Sequence, residues 1–216
     1  MDNNNENQST RTQIFNAAKV EFYDNGYSKG TLVNIAKRSG TPQALINYYY
    51  NTKKQLAEAI FADFTQRIYD LIGIYPHLAM LDNLSKHFIY SHIFYGLVFP
   101  NAAEKRFFKE CYEKKVEYSP AGTLRRSQEI YISGNENAIS PLETRILMSL
   151  QTACRNDFTS TVFADGLDFS SPAIINMMEA AVARLFYISE TRINKAIVTT
   201  LSNIGAIDTS GISLLV

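Results

Sequence analysis

Residues 31–50, TLVNIAKRSGTPQALINYYY, constrain this chain more than any other stretch. They read as two short helices joined by a tight turn at Ser39-Gly40. Thr31 stands where an N-cap is needed, and Leu32, Ile35 and Ala36 face inward. The next helix opens with Thr41 as N-cap and Pro42 at the first helical position, where a missing N–H costs nothing. This is the layout of a helix-turn-helix, in which the second helix enters the DNA major groove.

The flanking sequence repeats a helical grammar. Ile14, Ala17, Ala18, Glu21 and Phe22 recur at helical spacing, with Gly26 as a stop. Residues 1–10 read as a disordered polar arm, followed by a helix-turn-helix domain at 11–54. Thr52-Lys53-Lys54-Gln55 forms a capping box that starts a linking helix over 53–75. Further helices are predicted over about 80–98, 101–117, 121–132, 141–164 and 173–204. Ser140-Pro141-Leu142-Glu143 combines an N-cap, a proline at N1 and a glutamate at N3, and Ser171-Pro172 starts the last helix similarly. Period-two strands, internal repeats and nucleotide-cradling glycine loops are absent from the pattern, so the predicted fold class is all-α. Region 76–216 forms the second, larger helical domain.

Composition excludes several classes. The 216 residues are 46% hydrophobic, ample for a core, and carry no net charge. Residues 1–69 hold 8 Lys/Arg against 6 Asp/Glu, a slight basic bias, so the placement of charge matters more than its total. Cys111 and Cys154 lie outside any C-x-x-C, which argues against a disulfide scaffold or a thiolate zinc site and suits a reducing cytoplasm. The N-terminus lacks an apolar signal region. The most apolar run, Phe88 to Phe99, is too short and too polar to span a bilayer.

On the second helix of the motif, Pro42, Gln43, Ala44, Asn47 and Tyr48 occupy the first two turns. Gln43 and Asn47 can each pair bidentately with adenine, and Ala44 can touch a thymine methyl. Thr41, Tyr48 and Lys53 suit phosphates, as do Lys29, Thr31 and Lys37 around the preceding helix. Taken alone, the two-helix pattern fits a DNA-reading face and an ordinary exposed polar face equally well.

Residues 14–27, IFNAAKVEFYDNGY, resemble the first helix of the TetR family of one-component transcriptional regulators. Ile14, Ala17, Ala18, Phe22, Gly26 and Tyr27 fall on that family's usual positions. Ile35-Ala36, Gly40, the Tyr49-Tyr50 pair, Lys53 and Leu56 continue the match, which covers about residues 11–64. The resemblance implies double-stranded operator DNA as a partner, a ligand-responsive regulator that is most often a repressor, and a C-terminal effector-binding and dimerisation domain. Three positions depart from the family pattern. Gln43 stands where a Lys or Arg is frequent, Ala44 where Gly is common, and Asn47 where Tyr is common. An Arg–guanine contact is therefore absent from this helix, and A·T pairs are expected opposite Gln43 and Asn47.

The C-terminal half permits what the resemblance implies. Leu142, Ile146, Leu150, Ala153 and Phe158 form one apolar stripe. Ile175, Met178, Val182, Leu185, Ile188, Ile193, Ile197 and Leu201 form another. Each suits either a twofold four-helix interface or the protomer's own core; the resemblance favours a homodimer. His87, Ser91, Phe94 and Tyr95, with Phe108, Cys111, Tyr112 and Cys154, are candidates to line a largely apolar pocket for a small-molecule effector. The same stripe also fits plain core. His87 and His92 are five apart, off the spacing of a helical metal pair, so no metal or other cofactor is expected. Scattered Ser, His and Cys assemble no nucleophile–base motif, and no enzymatic activity is expected. The tail GISLLV fits packing on the body or a loose end.

Overall fold

The computed structural model describes residues 2–116, 123–133 and 139–216, with side chains from residue 9 onward and, in the second segment, from residue 127. The described residues form α-helices and contain no strand. In chain order the helices are α1 (Asp2–Lys29), α2 (Leu32–Ser39), α3 (Gln43–Tyr50), α4 (Lys53–Ile74), α5 (Pro76–Ala79) and α6 (Asn83–Val98). They continue with α7 (Ala102–Glu113), α8 (Thr123–Ser133), α9 (Pro141–Ala164), α10 (Pro172–Leu185) and α11 (Glu190–Asn203). A short 3-10 turn follows at Ile204–Ala206.

Several boundaries have local causes. Gly26 leaves the helical path inside α1 with φ 73°, a conformation that glycine adopts freely, and the chain resumes one turn to Lys29. At its other end α1 begins at Asp2, where the sequence predicts an arm; residues 2–9 contain neither proline nor glycine to stop a helix. Thr52 caps α4 by accepting the Gln55 amide at 3.1 Å. Ser140 and Glu143 close a reciprocal capping box on α9. The expected helix ends at residue 117 and at 121–122 lie outside the described residues.

One expectation fails. The predicted helix over 173–204 is two helices, α10 and α11, separated at residues 186–189. Tyr187 takes φ 58°, and the Ile188 amide turns back to the Ala183 carbonyl at 3.1 Å, which closes α10. No glycine or proline marks this break. It is imposed by packing, since Phe186 and Ile188 on either side of Tyr187 are both buried.

The chain divides into two compact units. Unit one comprises Met1–Phe64, Asn101–Pro120 and Ser213–Val216; unit two comprises Thr65–Pro100 and Ala121–Ile212. In unit one, α1 packs on α2, α3 and α7. Ile14, Ala18, Phe22, Ile35, Ile46, Leu56, Phe61 and Phe64 are buried there. Phe107 of α7 stacks on Phe22 at 5.2 Å and on Phe61 at 5.3 Å between ring centroids. Burying each such ring contributes about 1.5–3 kcal/mol. In unit two, twelve of the sixteen residues of α6 are buried, which makes it the central helix, with α8, α10 and α11 packed around it. Leu84, Phe88, Tyr131, Leu147, Val182, Phe186 and Ile193 belong to that core.

Candidate nucleic-acid interface

The placement of α2 and α3 is set by local caps and one buried ion pair. Thr31 Oγ1 accepts the Asn34 amide at 3.1 Å and caps α2. Gly40, at φ 66°, ends α2 in the left-handed conformation, with the Gly40 and Thr41 amides both bonded to the Ala36 carbonyl. Glu21 of α1 is fully buried, and its carboxylate accepts from Arg38 Nε at 2.8 Å and from Asn34 Nδ2 at 2.9 Å. Arg38 also reaches Asp24 at 2.7 Å. Burying a lone carboxylate costs several kcal/mol unless it is paired, so α2 is held to α1 in one register. Glu21 lies on the apolar-spaced face of α1, and its partners stand 13 and 17 residues away, so the sequence alone does not reveal the pair.

The start of α3 is one residue later than the sequence reading. Pro42 is the N-cap and makes no side-chain cap bond, while Thr41 Oγ1 pairs with Ser39 Oγ at 2.7 Å. Ile46 and Tyr50 of α3 point into the core, and Tyr50 donates to the Arg11 carbonyl at 3.3 Å. On the opposite face Pro42, Gln43, Ala44, Asn47 and Tyr48 are all exposed, Tyr48 at 76%. The open face therefore carries two amide side chains, a methyl group and a phenol, with no cation. Lys29, Thr31 and Lys37 are exposed around α2.

Lys53 has a different role from the expected phosphate contact. Its Nζ donates to the Tyr27 carbonyl at 2.8 Å and the Gly30 carbonyl at 3.0 Å, and lies 4.4 Å from the centroid of the Tyr27 ring. Burial pulls its ammonium below the ordinary lysine range. A cation on the last carbonyls of α1 closes that helix end, and two of its three donors are already committed. Helix α7 acts on the same helix end. Arg106 Nη2 donates to the Tyr23 and Asp24 carbonyls at 2.7 and 3.0 Å, and Glu110 Oε2 accepts the Ser28 amide at 2.7 Å. A Cβ added at Gly26 would lie 2.6 Å from Glu110 Oε2.

The candidate effector residues are divided between the two units. Phe108, Cys111 and Tyr112 belong to unit one, where Phe108 and Cys111 are core and burial pushes the Cys111 thiol up. His87, Ser91, Phe94, Tyr95 and Cys154 belong to unit two. There, His87 and Ser91 meet a buried polar centre that the sequence does not reveal. Its hub is Glu179 of α10. Arg155 of α9 donates to its two oxygens at 3.0 and 2.7 Å, Tyr131 of α8 at 2.7 Å, and Ser91 of α6 at 2.7 Å. His87 Nε2 lies 3.3 Å from Oε2 but off the line of a hydrogen bond, and its Nδ1 meets the Tyr69 hydroxyl at 3.2 Å. Burial pushes the Glu179 carboxyl up, but Arg155 and then His87 outweigh it and hold it well below the usual carboxylate range. Burial, reinforced by Glu179, pushes the Tyr131 phenol well up. Among the described residues, no group of three or more His, Cys, Asp or Glu could hold a metal ion.

The two apolar stripes also separate. Leu142, Ile146 and Leu150 of α9 are exposed, at 63%, 49% and 46%. Ile175, Met178, Val182 and Ile188 are buried within their own protomer, and Leu185 is half-buried. A side chain enclosed by its own core has no surface to offer a partner, so the second stripe is a core stripe as far as Ile188. Beyond it, Ile193 is core, while Leu201 and Val198 of α11 are exposed.

Helix α1 with the two short helices α2 and α3, a left-handed glycine turn between those two and an open face on α3 define a helix-turn-helix DNA-binding domain. Residues 14–60 match the family described as bacterial regulatory proteins, tetR family, and this N-terminal segment is a TetR-family domain. Over 55 residues the chain is 38% identical to the HTH-type transcriptional regulator TtgR of Pseudomonas putida. It is equally similar to the probable HTH-type transcriptional regulator ArpR of the same species. Each match spans 26% of this chain and 26% of the relative. Over 63 residues it is 30% identical to the HTH-type transcriptional regulator BetI of Cronobacter sakazakii, covering 29% of this chain and 31% of that protein. No solved structure matches the chain at the same stringency. Among the described residues, no helix is long and apolar enough to cross a membrane.

Proposed function

We propose that the protein is a cytoplasmic, homodimeric transcriptional regulator that binds operator DNA through α3 and is released by a small, largely apolar molecule, acting as a repressor. The exposed face of Gln43, Ala44, Asn47 and Tyr48, on a helix whose opposite side is fixed in the core, carries the reading. Gln43 and Asn47 read adenine, Ala44 meets a thymine methyl, and Thr31, Lys29, Lys37 and Thr41 engage phosphates. Lys53 is left out of the contact set, because its ammonium serves α1.

The exposed α9 stripe of Leu142, Ile146 and Leu150 supports the dimer, since two copies can bury it about a twofold axis. The dimer presents its two α3 helices to half-sites one DNA turn apart, about 34–36 Å. The aromatic residues around Tyr90, Phe94 and Tyr95 favour a largely apolar effector, and the Ser91–Glu179–Arg155 centre offers polar anchors. The effector acts by binding one state of the dimer better than the other.

A gel shift on the protein's own upstream DNA at several salt concentrations tests this reading. Specific binding that weakens steeply with salt supports it. Absence of binding at low salt rejects it in favour of a TetR-like ligand-binding or interaction protein, a reading that the uncharged face of α3 favours.

A further inference from the structure

Residues 213–216 belong to the same compact unit as the helix-turn-helix. Leu214 and Leu215 are 0% and 1% exposed. The Leu215 amide donates to Glu104 Oε1 at 3.0 Å, across 111 residues of sequence. Glu104 is itself buried, at 2% exposure, and sits in the first turn of α7, where the helix dipole favours a carboxylate. The other end of this segment is anchored within unit two. Ile207 is buried, and the Asp208 amide donates to the Tyr75 hydroxyl at 2.9 Å. Five residues separate Asp208 from Leu214, and such a stretch spans at most about 20–22 Å. The segment is thus a short tether with a fixed anchor in each unit.

Inside unit one the contacts run on without a gap. Glu104 shares α7 with Arg106 and Glu110, which hold the broken end of α1. Helix α1 holds α2 through Glu21, Arg38 and Asn34. Coupling of this kind needs a contiguous set of packed and hydrogen-bonded groups, and these residues supply one.

We infer that residues 207–216 act as a strap, in which burial of Leu214 and Leu215 and the bond of the Leu215 amide to Glu104 hold α7 and α1 in the state that presents α3 to DNA, and undocking switches that state off. When Leu214 and Leu215 leave, an apolar site and a buried carboxylate are exposed to water, and Glu104 loses its bond to the Leu215 amide. The operator half of this inference rests on the function proposed above; the packing half does not.

The test pairs two readouts on the full chain: amide hydrogen exchange and operator affinity. In L214A/L215A, exchange is expected to rise at least tenfold in residues 23–29 and 102–113, and operator affinity to fall at least tenfold. Faster exchange confined to 207–216, with operator affinity within twofold of wild type, overturns the strap. If wild type itself binds no operator, the proposed function fails, while exchange in α7 and α1 still decides the strap. Should the double variant unfold, Glu104→Met and Glu104→Gln replace it. Gln keeps an acceptor for the Leu215 amide and is expected to behave as wild type, whereas Met is expected to reproduce the exchange in α7 and α1. Equal behaviour of the two overturns the proposal.

Discussion

Replacing Arg155 with Met removes the cation that compensates a fully buried carboxylate. Glu179 then keeps the Tyr131 and Ser91 hydroxyls at 2.7 Å but loses both guanidinium contacts. Breaking a buried pair from one side costs about 3–5 kcal/mol. At about 2–4 °C per kcal/mol for a chain of this size, Tm falls by on the order of 10 °C. The pH dependence is more diagnostic than the loss itself. In wild type the folded Glu179 carboxyl lies below its unfolded value. Its contribution is therefore fully present above about pH 4.3 and is lost only as pH falls toward the depressed folded value. From pH 7.5 to 5 it does not change. In Arg155→Met the depressing cation is gone and burial dominates, so the folded value rises above the unfolded one. The folded protein then binds the proton more readily, and stability is regained as pH falls. The gap between variant and wild type, measured by urea unfolding, should therefore shrink between pH 7.5 and 5. Adding Glu179→Gln at pH 7.5 removes the buried charge, keeps an acceptor oxygen for one of the two hydroxyls and offers an amide donor that the other can accept, and should recover about 1–3 kcal/mol. The reasoning is refuted by a loss under about 1 kcal/mol, a gap independent of pH, or a second substitution that adds to the damage.

Three further outcomes are expected. Gln43→Ala and Asn47→Ala should each weaken operator binding by about 1–3 kcal/mol and relax the preference at one base pair, with circular dichroism unchanged because both side chains are exposed. Ile146→Asp should convert a dimer to monomers in sedimentation without lowering the helix content, whereas Met178→Asp should unfold unit two; a folded Met178→Asp protein would contradict the core assignment. Gly26→Ala should lower stability, and with it Tm, by the cost of a non-glycine residue at φ 73° and ψ 176°, a region essentially confined to glycine, about 1–3 kcal/mol, plus the clash with Glu110. Glu110→Ala should relieve the clash alone, at the loss of its own bond to the Ser28 amide.

What the sequence disclosed follows the range of each interaction. Thr31, Gly40, Thr52 and the Ser140–Glu143 box act within four residues, so their types and spacing reveal the helix ends they make. The open face of α3 was legible for the same reason, because one short helix carries all of it. Partners far apart in sequence were not legible. Glu179 reads as one polar residue on an apolar helix until Ser91, Tyr131 and Arg155 meet it from three other helices. Lys53 reads as a basic residue at a helix start, and only the fold brings the Tyr27 and Gly30 carbonyls to it. The stripes of α9 and α10 have the same periodicity; which one faces solvent depends on where α6 lies. The break at Tyr187 has no glycine or proline signature, because side-chain burial on both sides produces it.

The internal use of cations has a thermodynamic consequence. Arg38, Lys53 and Arg106 each carry a positive charge in unit one, and each is spent on a carboxylate or carbonyl of the same chain. Such groups recruit few phosphates, so they release few counterions when a duplex arrives. A plot of log affinity against log salt counts released ions. For this protein the slope will follow Lys29, Lys37 and the other exposed cations, and will be shallower than the Lys/Arg content of the DNA-binding unit implies.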